Sequence, residues 1–373
     1  MLKEIVQVIQ KGDANGNGML LRMKLPSGIE IFGLPTENSY GGDWDLGPTW
    51  NYLVMLDKPF LLDTGRLGME ETLLEMMHTV GIDGKDLDSI LISHGHEDHD
   101  GGLAEMAQRT RAEVRAHTVY ERLIRYYPNH APPDFRKEFP ASCWRCFMPE
   151  SFIAENCLEY HRTRSRLKIR AIGEGHGERG DGVDIYHVPG HSPDALALIL
   201  EGEAILVGDT VLPGITPWPN QEAFFHPVEH ILGPDFTQAQ ELFGLRAYIR
   251  SLKRLKKIGS DYGDLVVLPA HRLFYAHQWN ELDLGDRVDE LLEHHIQRCS
   301  AVLDIVRQEP KTATEIAREH FEERQLKGYG ILMAENEIAS HCELLEACGD
   351  VRRAGDHYLA TGTTHFESFI RSL

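Results

Sequence analysis

Long apolar runs are missing from this chain: none approaches the roughly 20 residues that a bilayer-spanning helix needs, which argues against a helical membrane protein. Cysteine is scarce. Cys143, Cys146, Cys157, Cys299, Cys342 and Cys348 do not form the even framework of a small secreted domain, so reduced thiols are expected. Cys143-Trp144-Arg145-Cys146 is a lone CxxC without the second pair that a structural zinc site requires, and reads as two packed thiols. Positive charge is in deficit. A net charge of −20 disfavours nucleic acid and anionic membrane as partners, leaving a small-molecule substrate. Met1 to Lys11 is a short mixed segment that matches neither a signal nor a transit peptide, so the cytoplasm is the expected location. With 42% hydrophobic and 26% charged residues the composition is that of a folded globular protein. At 373 residues, one large domain plus a smaller one is expected.

Against that background one stretch is dense in chemistry. In Ser93-His94-Gly95-His96-Glu97-Asp98-His99-Asp100-Gly101-Gly102, three histidines and Asp98 crowd into six positions directly after the apolar run Ile90-Leu91-Ile92. Imidazole and carboxylate are ligands that borderline divalent metals prefer, and a helix would scatter these four side chains around its circumference. A loop-borne site is expected, with Gly101-Gly102 turning the chain sharply before a helix from Leu103 to about Arg111. Glu97 is given no ligand role.

The same arrangement recurs three times. Val183 to Val188 reads as a strand running into Pro189-Gly190-His191, Ala204 to Val207 runs into Gly208-Asp209, and Leu265 to Leu268 runs into Pro269-Ala270-His271. Each apolar run stops at a turn and presents one His or Asp, which is how α/β architectures collect a site from strand ends. His94, His96, Asp98, His99, His191, Asp209 and His271 are more ligands than one tetrahedral ion uses, so two metals are implied. His187 lacks such support and is read as a structural strand residue. Upstream, Asn51 to Leu56 and Pro59 to Leu62 form a hairpin ending in Asp63-Thr64-Gly65, inside a first part, Met1 to about Gly65, of strands and turns; Met69 to Val80 has helical spacing.

The pattern HxHxDH at His94 to His99, followed by Pro-Gly-His at His191, Gly-Asp at Asp209 and a last His271 after a strand, resembles the metallo-β-lactamase superfamily over roughly Tyr52 to Arg272. The resemblance implies an α/β fold, the αββα sandwich, in a domain of residues 1–280. It implies that His94, His96 and His191 hold one metal, that Asp98, His99 and His271 hold the second, and that Asp209 bridges them. Asp63 would support the site from behind the ligands. Two divalent ions are expected, zinc first, with iron or manganese as alternatives. Hydrolysis by an activated water follows, with Asp98 as the catalytic proton acceptor. A single-iron oxygenase could use part of the same ligands. The preferred substrate is a small carbonyl compound, a thioester, ester or lactone; the alternative is an endoribonuclease acting on single-stranded RNA.

Substrate choice must come from the surroundings. Nine aromatics fall between Tyr120 and Tyr160, among five prolines, so residues 120–165 read as a cap insertion over the site. A second wall is expected from Pro213 to His226, with Trp218, Phe224, Phe225 and His226. Arg162, Arg164, Arg166, Lys168 and Arg170 alternate with other residues, so an extended chain would align five cations as an anion-facing ridge, or as the charged edge of a sheet.

Beyond Arg272, residues 286–373 read as three helices and a hairpin, including a capping box from Thr312 to Glu315. This order resembles the C-terminal winged-helix domain of one branch of the superfamily. Its charge does not suit DNA: ten Lys and Arg stand against seventeen Asp and Glu, and the third helix carries Glu335, Glu337, Glu343 and Glu346. A packing, cap or dimerisation role is expected, the last giving a homodimer.

Overall fold

Strands buried on both faces set the architecture, because each must be covered twice. The computed structural model describes residues 2–38, 45–125, 157–176, 182–328 and 330–373. The first sheet has eight strands in chain order: β1 (Val6–Gln10), β2 (Leu20–Lys24), β3 (Glu30–Thr36), β4 (Thr49–Met55), β5 (Phe60–Leu62), β6 (Ser89–Leu91), β7 (Glu113–His117) and β8 (Ile169–Ile172). Pairing is antiparallel as far as β5 and parallel from β5 to β8. The second sheet contains β9 (Gly175–His176), β10 (Val183–His187), β11 (Leu196–Leu200), β12 (Ala204–Gly208) and β13 (Val266–Pro269), in the order β13-β12-β11-β10-β9.

Side chains alternate across each strand and so sort into layers. Tyr52 and Val54 of β4 enter the core between the sheets, while Leu53 joins the outer core under the helices Glu70–Thr79 and Leu103–Thr110. Leu196, Leu198 and Leu200 of β11 face the first sheet, whereas Ala197 and Ile199 face the helix Gly244–Tyr262. Helices therefore cover both outer faces, giving the expected αββα sandwich. Leu198 and Ile199 are fully buried, each stabilising the fold by about 1.5–3 kcal/mol.

Past β13 the chain forms the helices Leu284–Gln308, Ala313–His320 and Gly330–Ala347, then the hairpin Val351–Ala354 and His357–Ala360, joined by the short strand Lys311–Thr312. The Thr312–Glu315 capping box is present. These helices share one continuous apolar core with the Gly244–Tyr262 helix and the outer face of the second sheet. Ile338, Leu344 and Leu345 point inward as expected, and Glu335 is buried as well. The third helix is thus a packed element of this core, with Glu337 ion-paired to Arg298.

Three local readings need correction. The expected cationic ridge is not extended throughout: Cys157–Arg164 is an α-helix. Arg162 pairs with Glu159 at i,i+3 and the Arg164 guanidinium lies 4.1 Å from the centre of the Tyr160 ring at i,i+4, contacts that only a helix makes. The segment is too polar to show apolar periodicity, which hid this. From Arg166 the alternation does hold, with Arg166, Lys168 and Arg170 exposed and Leu167 and Ile169 packed inward. Second, Gly101 and Gly102 are in ordinary right-handed conformations. They are glycine because of close approach: a Cβ on Gly101 would lie 2.2 Å from the Leu67 amide nitrogen, and one on Gly102 2.7 Å from the Thr64 carbonyl. Third, Leu2–Ile5 is a helical turn inside a region read as strands and turns.

Most of the expected cap, 126–156, lies outside the described residues, and with it Cys143 and Cys146. Among the described residues, Cys299, Cys342 and Cys348 are free thiols, and no helix is long and apolar enough to cross a membrane.

Candidate metal centre

All seven sequence-selected ligands converge at the ends of strands. His94 follows β6, His191 follows β10, Asp209 follows β12 and His271 follows β13. Asp98 and His99 are delivered differently: Glu97–Asp100 is a single helical turn, with the His96 carbonyl accepting from the His99 and Asp100 amides. One turn is short enough that both side chains still reach the centre. Glu97 turns away and accepts from the Leu67 amide at 2.6 Å.

The donor atoms fall into three groups, each within 4.8 Å: His94, His96 and His191; His94, His99 and Asp209; Asp98, His99 and His271. In the first group His96 Nδ1 lies 3.0 Å from His94 Nε2 and 3.1 Å from His191 Nε2. Ligands about 2.0–2.1 Å from a tetrahedral ion sit about 3.3 Å apart, so this spacing fits a shared cation. Asp209 spans the two sides. Its Oδ2 is 3.6 Å from His191 Nε2, and its Oδ1 is 3.4 Å from both His99 Nε2 and His271 Nε2. His99 Nε2, His271 Nε2 and Asp209 Oδ1 are buried without a hydrogen-bond partner. Such atoms cost about 1–3 kcal/mol each when unsatisfied, and a cation between them satisfies all three.

The imidazoles are aimed by their other nitrogens. His99 Nδ1 donates to Asp63 Oδ2 (2.8 Å), His191 Nδ1 to the Trp218 carbonyl (2.9 Å) and His271 Nδ1 to the Pro48 carbonyl (3.3 Å), which turns each Nε2 lone pair inward. Asp63, in the left-handed region at φ 65, also accepts from the Ser93 amide and hydroxyl, both at 2.7 Å. The Ser93 oxygen in turn accepts from His94 Nδ1 at 3.0 Å. One carboxylate thereby orients a histidine in each half of the centre. Ser93 was not singled out in the sequence, nor was Asn38, whose Nδ2 donates to Asp98 Oδ2 at 2.9 Å. Asn38 lies 60 positions from Asp98 and no local pattern marks it.

Electrostatics match a cation site. Burial lowers His94 and His191, and holds His96 down to about 3, so these rings keep their lone pairs. At His271 burial also lowers the pKa, but the Asp209 and Asp98 carboxylates outweigh it and push it up to about 9. Asp98 and Asp209 are themselves held below the usual carboxylate range: burial would raise them, and His99 and His271 overcome it.

Of the residues expected to meet substrate, Trp218 lies nearly parallel to His96, ring centres 5.7 Å apart, and lines a cavity of about 130 Å³ beside it. Phe224 lines the same cavity, Phe225 is buried behind it, and His226 faces solvent. Arg164 is not on the surface: it is 8% exposed and pairs with Asp100 at 2.6 Å. Arg162 and Arg166 are exposed. His187 is structural as expected, donating from Nε2 to the Pro193 carbonyl at 2.8 Å.

Comparison with known proteins agrees with this geometry. "Probable metallo-hydrolase YqjP" of Bacillus subtilis (strain 168) is 25% identical over 332 residues, covering 86% of this chain and 93% of that protein. The crystal structure of the metallo-beta-lactamase family protein TTHA1429 from Thermus thermophilus superposes with a TM-score of 0.64 at 23% identity, covering 88% of this chain and 98% of that one. A beta-lactamase domain protein from Burkholderia ambifaria gives 0.57 at 21% identity, covering 92% and 91%. At these identities the two structures bear on the fold alone. The sequence pattern of the Metallo-beta-lactamase superfamily matches residues 44–271, a span that holds all seven converging ligands, and the chain belongs to that superfamily.

Proposed function

We propose that this protein is a dinuclear metal-dependent hydrolase acting on a small carbonyl substrate, a thioester, ester or lactone. The observation that carries the reading is Asp209, whose two carboxylate oxygens face two separate sets of imidazoles. His94, His96 and His191 would hold one divalent ion, Asp98, His99 and His271 the other, and Asp209 would touch both. Five imidazoles and two carboxylates suit zinc, with iron and manganese sharing the same donor chemistry. Two such ions supply a polarised carbonyl and a water of lowered pKa.

The chain's own groups do the rest. Asp98 is the proposed proton acceptor, its Oδ2 held by Asn38 Nδ2 and, at 3.5 Å, by the Thr49 hydroxyl. Asp63 fixes the tautomers of His99 and, through Ser93, of His94. Trp218, stacked on His96, walls one side of the centre beside the cavity. The ribonuclease alternative needs a cationic track for phosphates, and three of its five members are engaged elsewhere, Arg162 with Glu159, Arg164 with Asp100 and Arg170 with Glu113.

The test is a parallel assay of acyl-CoA thioesters, lactones and labelled single-stranded RNA on the metal-loaded protein, with Asp98→Ala as control. Ester or thioester turnover that is lost in Asp98→Ala is the expected result. RNA cleavage lost in that variant, with no ester turnover, overturns the reading.

A further inference from the structure

The cavity beside His96 and Trp218 contains a carboxylate that the metal centre does not use. Its walls are mainly apolar, from Leu123, Ile124, Phe224, Val228 and Phe243. Among its polar members, Asp194 is only 3% exposed. The Ser192 hydroxyl donates to Asp194 Oδ1, but Oδ2 is buried with no hydrogen-bond partner. That oxygen lies against Gly95, where a Cβ would come within 3.3 Å of it and 3.0 Å of the Tyr120 ring. Glycine at 95 lets the backbone approach Asp194 and Tyr120 this closely, one residue before His96.

A buried carboxylate oxygen is normally matched by a donor. The charge around it restricts which donor fits. The Arg164 guanidinium, which lines the same cavity, is already paired with Asp100. Burial holds Asp194 up to about 6 even with the Ser192 hydroxyl donating to it, so the surroundings penalise bare charge on this group. A neutral hydroxyl or amide N–H matches the open oxygen without placing a further charge in a buried site. Size is restrictive too: about 130 Å³ is close to the roughly 150 Å³ of a protein cavity that admits benzene.

We propose that this cavity is a substrate-group pocket, taking an apolar group of about benzene size whose hydroxyl or amide N–H donates to Asp194. The proposal rests on the hydrolase reading above for what lies at the other end of the group: His96 and Trp218 line the pocket, so a carbonyl attached to its occupant reaches the metal centre. Asp194 is then a specificity residue, and substrates lacking the donor are rejected because the carboxylate stays unmatched.

Phenol and toluene separate the two components, since they match in size and differ in the donor. Calorimetric titration of the metal-loaded protein is expected to give phenol an affinity at least ~10-fold above toluene, and Asp194→Ala is expected to abolish that preference. Equal affinities, or binding of neither, overturn the proposal, and this wild-type comparison decides even where Asp194→Ala does not fold. A second arm compares 4-hydroxyphenylacetyl and phenylacetyl thioesters, with the hydroxylated acyl group expected to have the higher kcat/KM. Phenol selectivity without turnover of any ester would leave the pocket standing and remove the hydrolase reading; ester turnover without phenol selectivity would do the reverse.

Discussion

Replacing Arg164 by methionine leaves the Asp100 carboxylate buried without its guanidinium. The Asp100 side chain is 0% exposed and that of Arg164 9%, with Nη1 at 2.6 Å. Breaking such a pair from one side costs about 3–5 kcal/mol, because the remaining charge is stranded in a low dielectric. Here Asp100 keeps the Tyr120 hydroxyl at 2.7 Å and the Tyr160 hydroxyl, which places the cost near the lower end, about 3 kcal/mol. At about 2.1 cal/mol/K per residue, 373 residues give an unfolding entropy of about 0.8 kcal/mol/K, so Tm falls by about 4 °C. Differential scanning calorimetry at pH 7.5 reads this directly. The double variant Arg164→Met/Asp100→Asn removes the stranded charge and is expected to recover at least half of the loss. Asp100 immediately follows the ligand His99, so the single variant also loses metal content at that half of the centre. A single-variant cost below about 1 kcal/mol, or strict additivity in the double variant, would refute the reasoning and return Arg164 to the behaviour of a surface charge.

Two further outcomes follow from groups behind the ligands. Asp63→Asn keeps the volume but lets the wrong tautomer face His99, so metal affinity is expected to drop about 10–100-fold in competition with a chelator of known affinity; unchanged affinity sinks the supporting role. His117 and His187 stack with ring centres 3.8 Å apart, and burial holds them down to about 2 and about 4. Between pH 6.5 and 4 the unfolded chain takes up protons that the folded pair does not, so stability falls with falling pH, by about 1.4 kcal/mol per pH unit for each ring. His117→Asn keeps an acceptor for the Val119 amide and removes one titrating ring. The fall in Tm between pH 7.5 and 5 is expected to shrink in that variant, and an unchanged fall would show that this pair does not set it.

The candidate ligands were legible because His94, His191, Asp209 and His271 each join a residue type with lone pairs to a position where an apolar strand stops, while His96, Asp98 and His99 crowd into the stretch just after His94. Asp63 also follows a strand, β5, but its role was reached only through the resemblance to the superfamily's first motif. What else the ligands lean on was not legible. Ser93 and Asn38 are small polar residues common in loops, and their roles exist only once β3, β4, β5 and β6 lie side by side in one sheet. Arg164 shows the opposite failure. Its spacing from Arg162 and Arg166 suited a strand, while its partners Tyr160 and Asp100 left no trace in hydropathy. The ends of the expected cap, Tyr120 and Tyr160, join the Asp100 network, and residues 126–156 lie outside the described residues.

The C-terminal helices show how a function-laden resemblance can be narrowed by where the charges end up. Acidic residues on the Gly330–Ala347 helix argued against a nucleic-acid face, and their partners give the positive reason for them. Glu343 accepts from the Glu222 and Ala223 amides at 2.7 and 3.0 Å, and Asn336 Nδ2 donates to the Pro219 carbonyl at 3.0 Å while its Oδ1 accepts from Gln221. These contacts grip the segment that carries Trp218. The same segment is held on its other side, where the Asn220 amide donates to the Gly190 carbonyl and its Oδ1 accepts from the Gly244 amide. Trp218 presents its carbonyl to His191 and its ring to His96. A hydrogen-bonded path therefore runs from the tail helix through residues 218–223 to one half of the metal centre. Glu343 and Asn336, at its start, are spent on the amides, carbonyl and Gln221 side chain of this loop. A carboxylate that satisfies two backbone amides cannot be exchanged for a lysine, so the acidity of this helix on the side facing the loop follows from packing the site and carries no information about a polyanionic partner.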